Sequence, residues 1–198
     1  RDNDSHMMKN TEWGAVAYLS HSKYGINTEV RINNNSNYIT GYAATDNADE
    51  TKFPGTYGTD ASVTLPYNTS TGYKASTTGN ITGVYDMSGG TSEFVMGNMS
   101  RTSESYTISS SHSGFASDWY TTSTAKYAYD RGNSYNQAAY NRSRLGDATG
   151  EVVLSTGGYG GWNSDSAYFP TYNGDYSSWF DRGGGYSGST RAGVFSFF

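Results

Sequence analysis

The sequence predicts an α+β fold with one clear helix near the N-terminus, small antiparallel sheets and a high loop content. Three observations carry this. A single stretch, 7–22, spaces its apolar residues as a helix does. Short alternating runs at 28–32 and 83–87, and an apolar start at 179–180, have the pattern of strands. Much of the remainder is Ser, Thr, Asn and Gly, which favour turns over helices.

In the helix, Asn10 or Thr11 is placed to cap and Glu12 lies in the first turn. Trp13, Val16, Ala17 and Leu19 with Ser20 form the apolar face, and Gly25 ends the segment. Trp13 is expected in the core. At 28–32, Val30 and Ile32 alternate with Glu29, Arg31 and Asn33, and Asn33-Asn34-Asn35 is the turn that follows. Residues 44–80 read as a long surface loop with brief strands, anchored by Tyr57, Val63, Leu65 and Tyr67. Tyr85 and Met87 have the period of a half-buried strand, broken by Ser88-Gly89-Gly90. Phe94, Val95 and Met96 continue a buried segment. Residues 100–117 are polar loop, and the ring-rich stretches 126–130 and 135–140 are expected to run over the surface. After Leu145-Gly146 comes a turn that Asp147 caps or pins, followed by apolar Val152 and Val153. Gly157 to Gly161 let Trp162 lie on the core or stand out as a contact. Trp179-Phe180 begins the last strand. With no tandem repeat and no linker, 1–198 reads as one domain.

Hydrophobic residues are only 34% of the chain while aromatics reach 16%, so rings rather than aliphatic side chains must build the core. The aromatic content also sets the chain apart from disordered sequences, which are poor in rings. The net charge is −5 and no basic cluster appears, which excludes binding by phosphate neutralisation and electrostatic adhesion to a membrane surface. No apolar run approaches a membrane span, and Arg1-Asp2-Asn3-Asp4 is not a signal peptide, so a processed or trimmed piece is expected. There is no cysteine, hence no disulfide framework. Low Lys with abundant Thr, Asn, Ser, Gly and Tyr resembles proteins of the cell exterior.

The stretch Gly83-Val84-Tyr85-Asp86-Met87-Ser88-Gly89-Gly90-Thr91-Ser92-Glu93-Phe94 resembles the G-x-Y-D-M-x-G-N-V-W-E-W signature of the formylglycine-generating-enzyme-like branch of the C-type lectin fold. Gly83, Tyr85, Asp86, Met87, Gly89 and Glu93 match; Gly90, Ser92 and Phe94 replace Asn and two Trp. Thr11-Glu12-Trp13 with Ala15 to Tyr18 is similar to that branch's T-E-A-E-W-E-x-A helix. Arg182-Gly183-Gly184-Gly185-Tyr186 and Arg191-Ala192-Gly193 resemble its closing R-G-G-S-W…R-x-G segment. The three stretches fall in the family's order. The resemblance implies a C-type-lectin-like domain lacking parts of both ends, with Trp13, Tyr85, Met87 and Phe195 buried together. It also implies calcium near Glu93, although Gly90 stands where the family's Asn helps bind the ion. Asp46, Asp49 and Glu50 supply oxygens of the kind calcium takes, or form a solvated acidic loop.

Catalysis by the formylglycine-generating enzymes needs reactive cysteines, and this chain has none. His6, His21 and His112 lie far apart and outside the matched motifs. Ser113 and Ser187 have neighbouring glycines without the apolar flanks of a nucleophile elbow. Asp118, Asp130, Asp147, Asp165 and Asp175 show no spacing that marks a facing pair. The expectation is a non-enzymatic chain.

Tyr, Ser, Gly and Asn are the residues of antibody paratopes, rigid rings beside adaptable polar groups. In the closing segment Asp181, Tyr186, Ser187, Ser189, Thr190 and Arg191 interrupt an Arg-Gly-Gly and Ala-Gly-Val-Phe frame, with Tyr159 and Trp162 as possible extensions. That arrangement resembles the variable region of retroelement-diversified proteins and of gut-bacterial surface proteins. Two functions follow as expectations: an adhesin-like domain at the cell surface binding protein or glycan, or a structural subunit of a pilus or other extracellular filament. Within the frame, Arg182 is expected to satisfy backbone carbonyls or a carboxylate.

Overall fold

The computed structural model describes residues 6–44, 64–100, 128–134, 137–139, 145–152, 162, 165–167, 179–188 and 191–197. It is α+β, with a single α-helix among these residues, α1 (Asn10–Ser20), a two-stranded sheet and a five-stranded one. The small sheet pairs β1 (Tyr42–Ala44) antiparallel with β2 (Thr64–Pro66), with Tyr42 opposite Pro66. A 3-10 turn follows at Gly72–Ala75. The larger sheet holds β3 (Glu93–Ser100), β4 (Ala128–Ser134), β5 (Gln137–Ala139), β6 (Trp179–Gly183) and β7 (Gly193–Phe197) in the order β5-β4-β3-β6-β7. Three of its pairings are antiparallel, but β3 and β4 run parallel, so this sheet is mixed.

The helix begins later and ends earlier than its sequence pattern suggests. Its N-cap is Lys9 rather than Asn10 or Thr11. The Lys9 N–H donates to the Glu12 carboxylate at 2.9 Å, which satisfies an amide at the open helix end. That bond is the largest cause holding the Glu12 carboxyl below its ordinary range. The buried stripe is Asn10, Trp13, Gly14, Ala17 and Ser20. Leu19 falls beside this stripe and is 56% exposed. Gly14 is there for close approach: a Cβ would stand 2.4 Å from the Gly146 carbonyl oxygen. The turn at 146–147 therefore rests directly on the helix backbone.

The core gathers Trp13, Ala17, Val30, Met87, Val95, Ala148, Val152, Ala167, Val194, Phe195 and Phe197. The Trp13 indole N–H donates to the Val194 carbonyl at 2.8 Å, tying α1 to β7. Arg182 is fully buried among these rings, 5.9 Å from the Trp13 ring centre and 5.4 Å from that of Phe197. Its guanidinium donates to the carbonyls of Ala148, at 3.0 Å, and Asp147. The Asp147 carboxylate in turn accepts the Thr149 N–H at 3.1 Å, pinning the turn from within.

Several sequence expectations change. Tyr85 is only half-buried and lies outside the core, while Trp13, Met87 and Phe195 share it. Residues 83–92 form no strand, because Asp86, Gly89 and Gly90 all take positive φ. At 29–33 both faces are buried. Glu29 contacts His21, and Arg31 bonds the Lys74 and Ala44 carbonyls on either side. Polar partners thus bury what alternation assigns to solvent. Phe94 is 60% exposed, on the face of β3 opposite buried Val95. Leu65 is half-buried and Tyr67 largely exposed; Tyr57 and Val63 lie outside the described residues. Residues 128–134 form strand β4. The last strand is β7, beyond the one that Trp179 begins.

Replacing Arg182 by Ala strands two buried carbonyls and opens a void between two rings. Urea unfolding should show a loss of about 3–5 kcal/mol at unchanged m value. A loss below about 1 kcal/mol would show that Arg182 does not organise the core.

Candidate binding face

The closing segment meets two earlier loops, and the meeting point is built almost entirely from side chains bonded to backbone. Asn33 is its centre. Its amide donates to Asp86 Oδ1 at 2.8 Å and to the Ile39 carbonyl at 2.9 Å. Its own Oδ1 accepts the Asn35 N–H at 3.1 Å, and Asn35 repeats the pattern on Asn37 at 2.8 Å. Such turns form because a short amide side chain copies a backbone carbonyl. Asp86 also accepts the Gly41 N–H at 3.1 Å. The loop 33–41 is thereby closed at both ends.

Backbone bonds carry this loop to the closing segment. The Asn33 N–H donates to the Ser88 carbonyl, the Gly90 N–H to that of Asn33, the Gly89 N–H to that of Gly183, and the Tyr186 N–H to that of Gly90. The result sets Tyr186 against Tyr38, edge to face, with ring centres 5.2 Å apart. Tyr38 is 57% exposed and has φ +56, a conformation bulky residues rarely adopt. The turn 185–188 is closed by the Gly188 N–H on the Gly185 carbonyl, and Arg191 follows by donating its N–H to Gly188. Ser187 and Arg191 are exposed and Tyr186 is half-buried.

The other candidate residues fall elsewhere. Asp181 is half-buried, opposite Phe94 in β6, and does not project freely to solvent; burial pushes its carboxyl up to about 6. Trp162 packs edge-on against Tyr18 and Phe195, with ring centres 6.0 and 5.3 Å away, and is 38% exposed. Tyr159, Ser189, Thr190, Asp46, Asp49 and Glu50 lie outside the described residues. Glu93 is exposed at the start of β3, its carboxyl raised by desolvation and by the charge of Asp86. The carboxylate that holds the turn amides is Asp86. Among the described residues no three His, Asp or Glu side chains gather as a cation site would require. Sequence reasoning missed Tyr38 and Asn33; the run Asn33-Asn34-Asn35 was the available signal, since such a run builds loops from its own side chains.

A second polar group lies inside the core. Ser20 Oγ is 2.9 Å from His21 Nδ1, and His21 Nε2 is 3.3 Å from Glu29. The order of contacts is that of a serine triad, but Ser20 is buried and its hydroxyl donates to the Ala17 carbonyl at 2.7 Å. It presents no attacking oxygen. Nearby Asp165 is fully buried, accepting the Phe195 N–H at 2.9 Å through Oδ2. Its Oδ1 has no partner among the described residues. Burial drives its carboxyl well above the ordinary value, and the charge of Glu29 adds to this.

No protein-family model, no curated protein and no solved structure matches this chain.

Because the Asp165 pKa is raised on folding, the folded chain binds the proton more tightly than the unfolded one. The resulting stability is full below the ordinary value of 3.8 and is lost as pH rises through the folded value. Asp165→Asn keeps an acceptor for Phe195 and cannot ionise. It should be more stable than wild type at neutral pH, with a flatter decline from acid to neutral. Parallel pH curves for the two proteins would contradict a buried neutral Asp165.

Proposed function

We propose that this chain is a non-enzymatic binding domain, displayed at the cell surface, that holds a protein or glycan ligand on the face made by Tyr38, Tyr186, Ser187 and Arg191. The observation that carries the reading is Tyr38. A non-glycine residue held at positive φ costs roughly 1–3 kcal/mol, and such strain concentrates at binding and switch positions. Here the strained residue keeps its ring exposed and braced by a second tyrosine rather than burying it in the core. A preorganised aromatic pair beside a serine and an arginine is the chemistry of a paratope: large contact area with little side-chain entropy left to lose.

The fold supports this reading from below. The glycines and buried Arg182 of the closing frame are structural, and the residues between them include the exposed ones. The resemblance to a C-type-lectin-like domain, a scaffold that displays loop side chains, points the same way, as does the exterior-type composition.

Labelled protein applied to a glycan microarray and to a displayed-peptide library should yield a ligand. Against it, Tyr186→Ala and Arg191→Ala should each weaken binding by about 2 kcal/mol, roughly thirtyfold, with Tm nearly unchanged. Gly184→Val should instead lower Tm, since Gly184 has φ +69 and its Cβ would stand 2.8 Å from Ala192 Cα. Unchanged affinity in both surface variants sinks the proposed face.

A further inference from the structure

The aromatic face continues past Tyr38. One step beyond the β1–β2 ladder, where Tyr42 faces Pro66, Gly41 comes opposite Tyr67. Gly41 has φ +75 and no side chain, and the Tyr67 ring lies over it: a Cβ at 41 would be 3.2 Å from Tyr67 Cβ. Tyr67 then meets Tyr85 edge to face, with ring centres 6.3 Å apart. Two tyrosine pairs thus flank the turn 38–41, Tyr186 with Tyr38 on one side and Tyr67 with Tyr85 on the other. Ile39, exposed, stands between them, and Tyr67 is 49% exposed.

The segments that bear Tyr38, Tyr67 and Tyr85 are free of charged residues apart from half-buried Lys74, and Arg191 stands at the Tyr186 end. Segments 36–42, 66–73 and 75–85 contain no Asp, Glu, Lys or Arg, although charged residues make up 16% of the chain. Asp86, whose carboxylate reaches the row, is engaged by Asn33 and Gly41. Exposed polar groups along it are the neutral amides and hydroxyls of Asn37, Thr40 and Asn68. Several main-chain amides beside the row are bonded within the fold: those of Tyr38 and Thr69 on carbonyls, Gly41 on Asp86, Gly72 on the Thr69 hydroxyl.

We infer that the row Tyr186–Tyr38–Tyr67–Tyr85 is an extended subsite for a neutral polysaccharide chain, a reading that deepens the binding function proposed above and rests on it. Sugar rings offer apolar C–H faces to lie on tyrosines and hydroxyls for amides and hydroxyls to bond. They bring no charge, which suits the uncharged segments around Tyr38, Tyr67 and Tyr85. Two separated aromatic pairs select a ligand long enough to reach both.

The test uses affinity electrophoresis of the whole chain through gels containing dextran, mannan, galactan or xyloglucan. Titrations follow with the hexa- and disaccharide of the polymer that retards it. At least one polymer should retard the protein, and the hexasaccharide should bind at least tenfold tighter than the disaccharide. Tyr67→Ala and Tyr85→Ala should remove that length advantage and leave disaccharide binding intact, whereas Tyr67→Phe and Tyr85→Phe should retain it. The phenylalanine pair keeps the test valid should the alanine variants fold poorly. Tyr186→Ala should weaken both sugars. Failure of all four polymers to retard the protein overturns the subsite, as does a length advantage that survives loss of both rings. If a peptide ligand binds instead, sensitive to Tyr186→Ala but not to Tyr85→Ala, the subsite falls and the binding face stands. If the sugar depends on Tyr67 and Tyr85 but not on Tyr186 or Arg191, the proposed face falls.

Discussion

The contact between the Asn33 amide and the Asp86 carboxylate joins residues 53 positions apart, and the geometry of the proposed binding face depends on it. A hydrogen bond to a charged acceptor contributes about 1.5–3 kcal/mol. This one also sets where other bonds form. With Asp86 held, its carboxylate fixes Gly41; with Asn33 held, its backbone fixes Ser88 and Gly90. Gly89 and Gly90 then place Gly183 and Tyr186. A strained Tyr38 persists because the loop on either side of it is anchored.

The same economy appears in the core. A chain with few aliphatic residues cannot fix its loops by burial alone, so polar side chains reach into them and bond the backbone. Arg182 does this for the turn at 147–148, Asp147 for Thr149, and Asp165 for Phe195. Each buried polar group is costly unless paired, which makes the loop conformations specific: a shifted loop leaves a guanidinium or a carboxylate without its carbonyl or amide. The apolar surface against which these groups are buried comes from the rings of Trp13, Phe195 and Phe197 together with a larger number of Ala, Val and Met side chains, so the core is not built from rings in place of aliphatic residues as composition suggests.

The helix was legible because its period is local, and the roles of Arg182 and Asp147 were legible from residue type beside glycine-rich turns. Less legible was every feature set by a distant polar partner. Alternation at 29–33 pointed to a half-exposed strand, yet His21, Lys74 and Ala44 cover its polar residues. Tyr85 was placed in the core by the family resemblance and in a strand by its alternation, and neither registers the positive φ at Asp86, which turns the chain before a strand can form. The proposed face was visible in the sequence only in part. Tyr186, Ser187 and Arg191 stood out by composition within a fixed frame. Tyr38 did not, since its partner lies across the fold and its conformation is imposed by the amides of Asn33 and Asn35.

Amide hydrogen exchange on Asp86→Gly tests this account most directly, because glycine tolerates the positive φ at this position while the carboxylate is removed. The account predicts that the amides of Gly41, Gly90 and Tyr186 lose protection together, while that of Val95 in β3 keeps its own. Protection lost at Gly41 alone, with Gly90 and Tyr186 unchanged, would contradict the dependence of the binding face on the Asn33–Asp86 contact.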